Sequence, residues 1–151
     1  MPTIAEEVYE WEVAMTNRYN TNLASEFWVL SALYRRGIEA YLTLGNKKSV
    51  DILIRRKTHG IYTIDVKGLA GRDSYWPADN VSIDNDPTHF YIFLSFEGNI
   101  SNPLVSPSVW IIPSDHISSF IKHFTTRKDV SRKLLIENGH KFKDGWQQLS
   151  N

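Results

Sequence analysis

Two short apolar runs, each carrying one acid, constrain this chain more than any other feature. Residues 49–55 (Ser-Val-Asp-Ile-Leu-Ile-Arg) and 61–67 (Ile-Tyr-Thr-Ile-Asp-Val-Lys) are separated only by Arg56 to Gly60. Both alternate as strands do, and the short connection predicts a hairpin. In an extended strand, side chains i and i+2 share a face. Asp51 and Leu53 therefore fall on one face of the first run, with Val50, Ile52 and Ile54 on the other. In the second run Thr63, Asp65 and Lys67 share a face, opposite Tyr62, Ile64 and Val66. The charged residues separate from the β-branched set, and Asp65 and Lys67 stand side by side, about 7 Å apart at their Cα atoms. Hairpin pairing brings Asp51 within reach of the same face. Two carboxylates and one ammonium on one patch suit metal-assisted phosphodiester hydrolysis.

Around this hairpin the pattern predicts an α/β domain. Thr3-Ile4-Ala5-Glu6 has the form of a capping box, and Ile4, Val8, Trp11 and Met15 follow at helical spacing, so a helix is expected over 4–18. Asn20 to Asn22 read as a break and a new N-cap. A second stripe, Leu23, Phe27, Leu30 and Tyr34, ends at Gly37, with Glu26 at its edge, able to face the interface between helix and sheet. Residues 38–44 read as a strand before the hairpin. Residues 68–89 read as a long polar loop, of the kind that is usually functional or mobile. Residues 90–96 and 108–112 read as buried strands, and Ser114 is expected to cap a helix carrying Ile117, Phe120, Ile121 and Phe124. A basic tail follows from Lys128.

A length of 151 residues and an aromatic share of 13% predict a single packed domain. Cysteine is absent, which excludes disulfides and thiolate metal sites. No apolar run approaches a membrane span and no signal-peptide pattern opens the chain, so a cytoplasmic protein is expected. Formal net charge is zero, but the charges are unevenly spread. Residues 35–72 hold nine Lys and Arg against three acids, two of which are Asp51 and Asp65, whereas residues 73–121 hold six acids and no Lys or Arg. Basic residues thus cluster around the acids and in the tail, a local footprint that suits a phosphate backbone. Lys47, Lys48, Arg55 and Arg72 flank the acids as candidate nucleic-acid contacts.

These residues together resemble the PD-(D/E)xK nuclease superfamily, and among its members the small stand-alone ones. Asp51 matches the acid at the start of the second core strand, and Asp65-Val66-Lys67 matches the (Asp/Glu)-x-Lys of the third. Glu26 is similar to the glutamate that many members carry on the preceding helix. The resemblance covers roughly residues 21–124, with the helix over 4–18 and the tail over 125–151 as additions to one nuclease-like domain. Val50 replaces the proline of the signature, and two strands follow residue 68 where many members place a helix between them. The resemblance implies a restriction-endonuclease-like fold, a central mixed sheet flanked by helices. It further implies an endonuclease acting on DNA with Mg²⁺ or Mn²⁺. Asp51, Asp65, Glu26 and the Val66 carbonyl would hold the metal, and Lys67 would position or deprotonate the attacking water.

Other chemistries fit less well. His59, His89, His116, His123 and His140 are scattered. His116 and His123 would share one helix face, which is too little for a zinc site. No Gly-rich phosphate loop or nucleophile elbow is present. Paired carboxylates also serve glycosidases, where a lysine beside Asp65 has no natural place. The alternative from another class is a catalytically inactive nuclease-fold module that binds protein or nucleic acid, as an immunity protein does. A homodimer is one open arrangement, since a single site cuts one strand, and a protein partner is another.

Overall fold

A computed structural model describes residues 1–43, 50–58, 60–72, 74–82 and 85–150, and for residues 12–16 the backbone alone. The first element is one helix, α1 (Ile4–Arg35), not two. Its start is the expected capping box: the Thr3 hydroxyl accepts the Glu6 N–H, and the Glu6 carboxylate accepts the Thr3 N–H at 2.6 Å. Its end is a Schellman turn at Gly37 (φ 72°), with Ile38 N–H donating to Leu33 O and Gly37 N–H to Tyr34 O. The expected break at Asn20–Asn22 does not occur. The Thr21 hydroxyl donates back to Asn17 O at 2.8 Å and Ser25 to Thr21 O at 2.7 Å. Hydroxyls satisfied within their own helix have no need to cap a new one, and neither Gly nor Pro interrupts the run.

Strands β1 (Ala40–Leu42), β2 (Ile52–Arg55) and β3 (Ile61–Leu69) form an antiparallel meander. The expected hairpin is present, with Ile52 opposite Ile64 and Arg55 opposite Ile61. After β4 (Tyr75–Pro77), β5 (His89–Ser95) runs parallel to β3, and β6 (Ser108–Pro113) pairs antiparallel with β5. The result is a mixed five-stranded sheet in the order β1-β2-β3-β5-β6. Strand β4 instead joins β7 (Ile121–His123) and β8 (Lys128–Ser131) in a second, three-stranded sheet.

The strand alternation sorts residues onto two cores. On one face Ile52, Ile54, Ile64, Val66, Ile92 and Ile111 pack under Val29, Ala32 and Leu33 of α1. On the other, Tyr91, Phe93, Trp110 and Ile112 pack against Trp76, Ile117, Val130 and Leu135. Strand β5 is buried on both sides, which is why it reads as a continuous apolar run. The helix expected after Ser114 is a 3-10 helix (Ser114–Phe120) that passes directly into β7, so Ile121 is a strand residue and Phe124 lies beyond it, exposed. His116 and His123 consequently share no helix face. The segment expected as a tail holds β8 and α2 (Arg132–Asn138). Beyond α2, Trp146 and Leu149 fill the core beneath α1. Among the described residues no helix is long and apolar enough to cross a membrane.

Candidate functional site

Strand β3 outruns its partner. β2 begins at Ile52, opposite Ile64, whereas β3 continues to Leu69. The residue just before β2 fills the gap. Asp51 donates its N–H to Ile64 O at 2.8 Å, although Ile64 is the partner of Ile52, which marks a local irregularity of the ladder. Its carboxylate Oδ2 accepts the Val66 N–H at 2.7 Å, in place of a β2 carbonyl. Its own carbonyl accepts the Thr43 N–H. Asp51 is therefore bonded to main chain through its N–H, its carbonyl and its carboxylate, the last reaching Val66 on β3.

Asp65 and Lys67 stand side by side on β3, as the parity requires. Lys67 Nζ lies 3.2 Å from Asp65 Oδ2. Asp65 is only 2% exposed, and that same oxygen has no directed hydrogen bond among the described residues. A buried carboxylate oxygen with a cation near it but no donor aimed at it is costly to maintain. α1 crosses over the gap and sets Glu26 beside Asp51. The cleft so formed has a volume of about 880 Å³. Glu26, Asp51, Asp65, Val66 and Lys67 all line it, with Arg18 from α1 and Tyr75 from β4.

The electrostatics follow from crowding acids in a half-dry place. Burial, reinforced by Asp51, raises the Glu26 carboxyl to about 7. Burial likewise raises Asp51 to about 6; the Val66 N–H opposes this, the Asp65 carboxyl adds to it by charge and by hydrogen bonding, and Lys67 opposes it. Glu26 thus faces Asp51, and Asp51 faces Asp65. The three acids form a chain and not a ring. Among the described residues no three His, Asp or Glu side chains come together closely enough to hold a metal ion as one cluster.

Not every expected residue reaches the cleft. Lys47 and Lys48 lie outside the described residues. Arg55 is exposed at the far end of β2, roughly 13 Å along the strand from Asp51. Arg72 points to Glu97, 3.8 Å away, and is 75% exposed. Trp76 does border the cleft, but as a packing anchor: it is buried edge-on against Phe93 and Trp110. The sequence reading overlooked Arg18. Residues 18, 22 and 26 are spaced i, i+4, i+8 and lie on one face of a continuous helix, and breaking that helix at Asn20 hid the set.

Comparison of the chain with protein-family models, with curated proteins and with solved structures gives no match. The site is therefore read from its own geometry. It offers hard oxygen donors, a fixed ammonium, a carboxyl that titrates near neutrality, and a concave opening.

Proposed function

We propose that this protein is a metal-dependent endonuclease of the PD-(D/E)xK kind, hydrolysing phosphodiester bonds in DNA on a restriction-endonuclease-like variant of the mixed sheet. One observation carries the reading: Asp51 enters the gap between β2 and β3, bonds the Val66 N–H, and so stands against the Asp65–Lys67 pair.

The residues fit a divalent cation of the Mg²⁺ or Mn²⁺ type. Asp65 Oδ2 is buried with no donor aimed at it among the described residues, and burial with the Asp65 carboxyl beside it makes Asp51 hold its proton more tightly. A hard cation would take the place of that proton. Asp51 and Asp65 would hold it, with the Val66 carbonyl and Glu26 completing the set through water. When bound, the cation polarises the phosphodiester and acidifies a water molecule. Lys67, paired with Asp65, would place an ammonium where negative charge grows on the phosphoryl oxygens. Glu26, with its carboxyl near 7, is matched to taking a proton from water at neutral pH. Arg18, on the same wall of the cleft, meets the phosphate next in line.

The test is cleavage of a panel of DNA substrates with Mg²⁺ or Mn²⁺ by the wild type, Lys67→Ala and Asp65→Ala, with circular dichroism confirming the fold. Loss of one charged transition-state contact should lower kcat by about 10²-fold or more. Undiminished cleavage by either folded variant would overturn the assignment. The second reading, a non-catalytic module, has one observation on its side: no three acids cluster among the described residues. A folded wild type that binds neither ion by calorimetry, where an Asp51→Ala/Asp65→Ala double variant serves as blank, would establish that reading instead.

A further inference from the structure

The β7–β8 hairpin carries an arrangement that the catalytic reading does not use. Its two-residue turn is closed by Phe124 N–H donating to Arg127 O at 2.9 Å. Across it, the Arg127 guanidinium lies over two rings, 4.9 Å from the centre of Phe124 and 5.0 Å from that of Tyr75. Asp129 aims it: Arg127 Nε donates to Asp129 Oδ2 at 3.2 Å. Asp129 is itself 3% exposed, and its other oxygen has no hydrogen-bond partner among the described residues.

A buried, half-satisfied carboxylate is an expensive way to anchor a surface side chain. A stack made only for packing would be covered, yet Phe124 is 51% exposed and the Arg127 side chain 49%. The anchoring bond uses Nε, and the two Nη groups have no hydrogen-bond partner among the described residues. The stack thus presents an open aromatic face, a planar cation and free donors. Tyr75, its inner member, also lines the cleft that holds Asp51, Asp65 and Lys67.

Resting on the nuclease reading for the cleft, we infer that Phe124, Arg127 and Tyr75 form a stacking platform for unpaired bases, and that the substrate is single-stranded nucleic acid. Base faces stack on aromatic rings and on guanidinium planes with little regard to sequence, and they are available only where the strand is unpaired. The Nη donors take the phosphate beside the stacked base. A cleft of about 880 Å³ is the size of a small-ligand site, so a single unpaired nucleotide fills it better than a base pair. The strand then runs from the hairpin, over Tyr75, to the carboxylates.

The experiment is fluorescence anisotropy in EDTA, so that no metal is bound and nothing is cleaved. A labelled single strand of mixed sequence and the same sequence as duplex are titrated with wild type, Phe124→Ala and Arg127→Lys. The inference expects the single strand to bind at least tenfold more tightly than the duplex. Each variant should weaken the single strand about tenfold and leave the duplex unchanged. Arg127→Lys keeps the charge, so its loss reports the planar stack. Phe124→Ala alters an exposed ring and should keep the wild-type melting temperature. Equal affinity for the two forms, no binding of the single strand, or folded variants that bind as wild type would each overturn the inference. Because the readout is metal-free, platform binding without cleavage by the wild type would defeat only the nuclease reading. Cleavage with an inert platform would defeat only this one.

Discussion

Replacing Gly68 with alanine should loosen the seat of α1 on the sheet. Gly68 lies in β3, one residue past Lys67, where the helix passes closest. A Cβ built there would stand 1.9 Å from Ser25 Oγ, 2.8 Å from Ser25 Cβ and 3.4 Å from Thr21 O. Rotating the Ser25 hydroxyl relieves the first contact but not the second, because Cβ does not move with χ1. Ser25 is fully buried, so the helix must shift. Overpacking of this kind costs about 1–3 kcal/mol, against about 0.4–1 kcal/mol recovered because alanine has fewer unfolded conformations than glycine. A net loss of about 1–2 kcal/mol lowers the melting temperature by about 2–8 °C in a domain of this size. Ser25→Gly removes both offending atoms. Alone it should cost about 1 kcal/mol as a helical glycine, yet combined with Gly68→Ala it should recover at least 1 kcal/mol of coupling. Ser25→Ala, which keeps Cβ, should not rescue. Urea titrations of the four proteins of the cycle measure this directly. A Gly68→Ala protein as stable as wild type, or a cycle without coupling, would refute the close approach. Glu26 is the next residue after Ser25, so cleavage should fall further than stability does.

The raised acids fix the sign of a pH effect. Glu26 and Asp51, faced by Asp65 and Lys67, hold protons more tightly folded than unfolded. The native state therefore carries more protons between about pH 4 and 7, and stability falls as pH rises through that window. Urea midpoints should show the fall, Glu26→Gln should flatten its upper part, and added Mg²⁺ should raise stability more at pH 7.5 than at pH 5. Trp146→Ala should cost about 3–5 kcal/mol, since its indole packs 6.1 Å from that of Trp28 and lies under Arg36; a urea midpoint within error of wild type would contradict its place in the core. Arg18→Ala should raise KM for DNA several-fold while Arg55→Ala, far from the cleft, changes it little, and the reverse ranking in steady-state kinetics would displace Arg18 from the substrate path.

Much of the meander was legible because its alternation is local. Parity alone separates Asp51, Asp65 and Lys67 from Ile52, Ile64 and Val66, and the observed pairing, Ile52 opposite Ile64, keeps that separation. Helix continuity was not legible. Asn20-Thr21-Asn22 has the composition of a cap, and only the fold shows Thr21 and Ser25 bonded back along the helix. The second sheet escaped for a different reason. β4, β7 and β8 are three or four residues long, too short for a period to emerge, and β4 reaches β8 from some fifty residues away. The gap that receives Asp51 depends on where β2 stops relative to β3, a relation between strands that no single run of residues carries. The Arg127 stack was not legible because its ring partner Tyr75 lies on β4, far away in sequence, and is brought alongside only by the pairing of β4 with β8.

The continuity of α1 makes it a stiff rod with two unlike ends. Residues from Thr21 onward are clamped to the sheet, and the rod extends roughly 25 Å from there to Ile4. Along that arm Ile4, Val8, Tyr9 and Trp11 stand exposed. Glu26 sits little more than one turn past the clamp. The exposed residues of the arm and the Glu26 carboxyl thus belong to one unbroken hydrogen-bonded element, with no loop between the free end and the cleft.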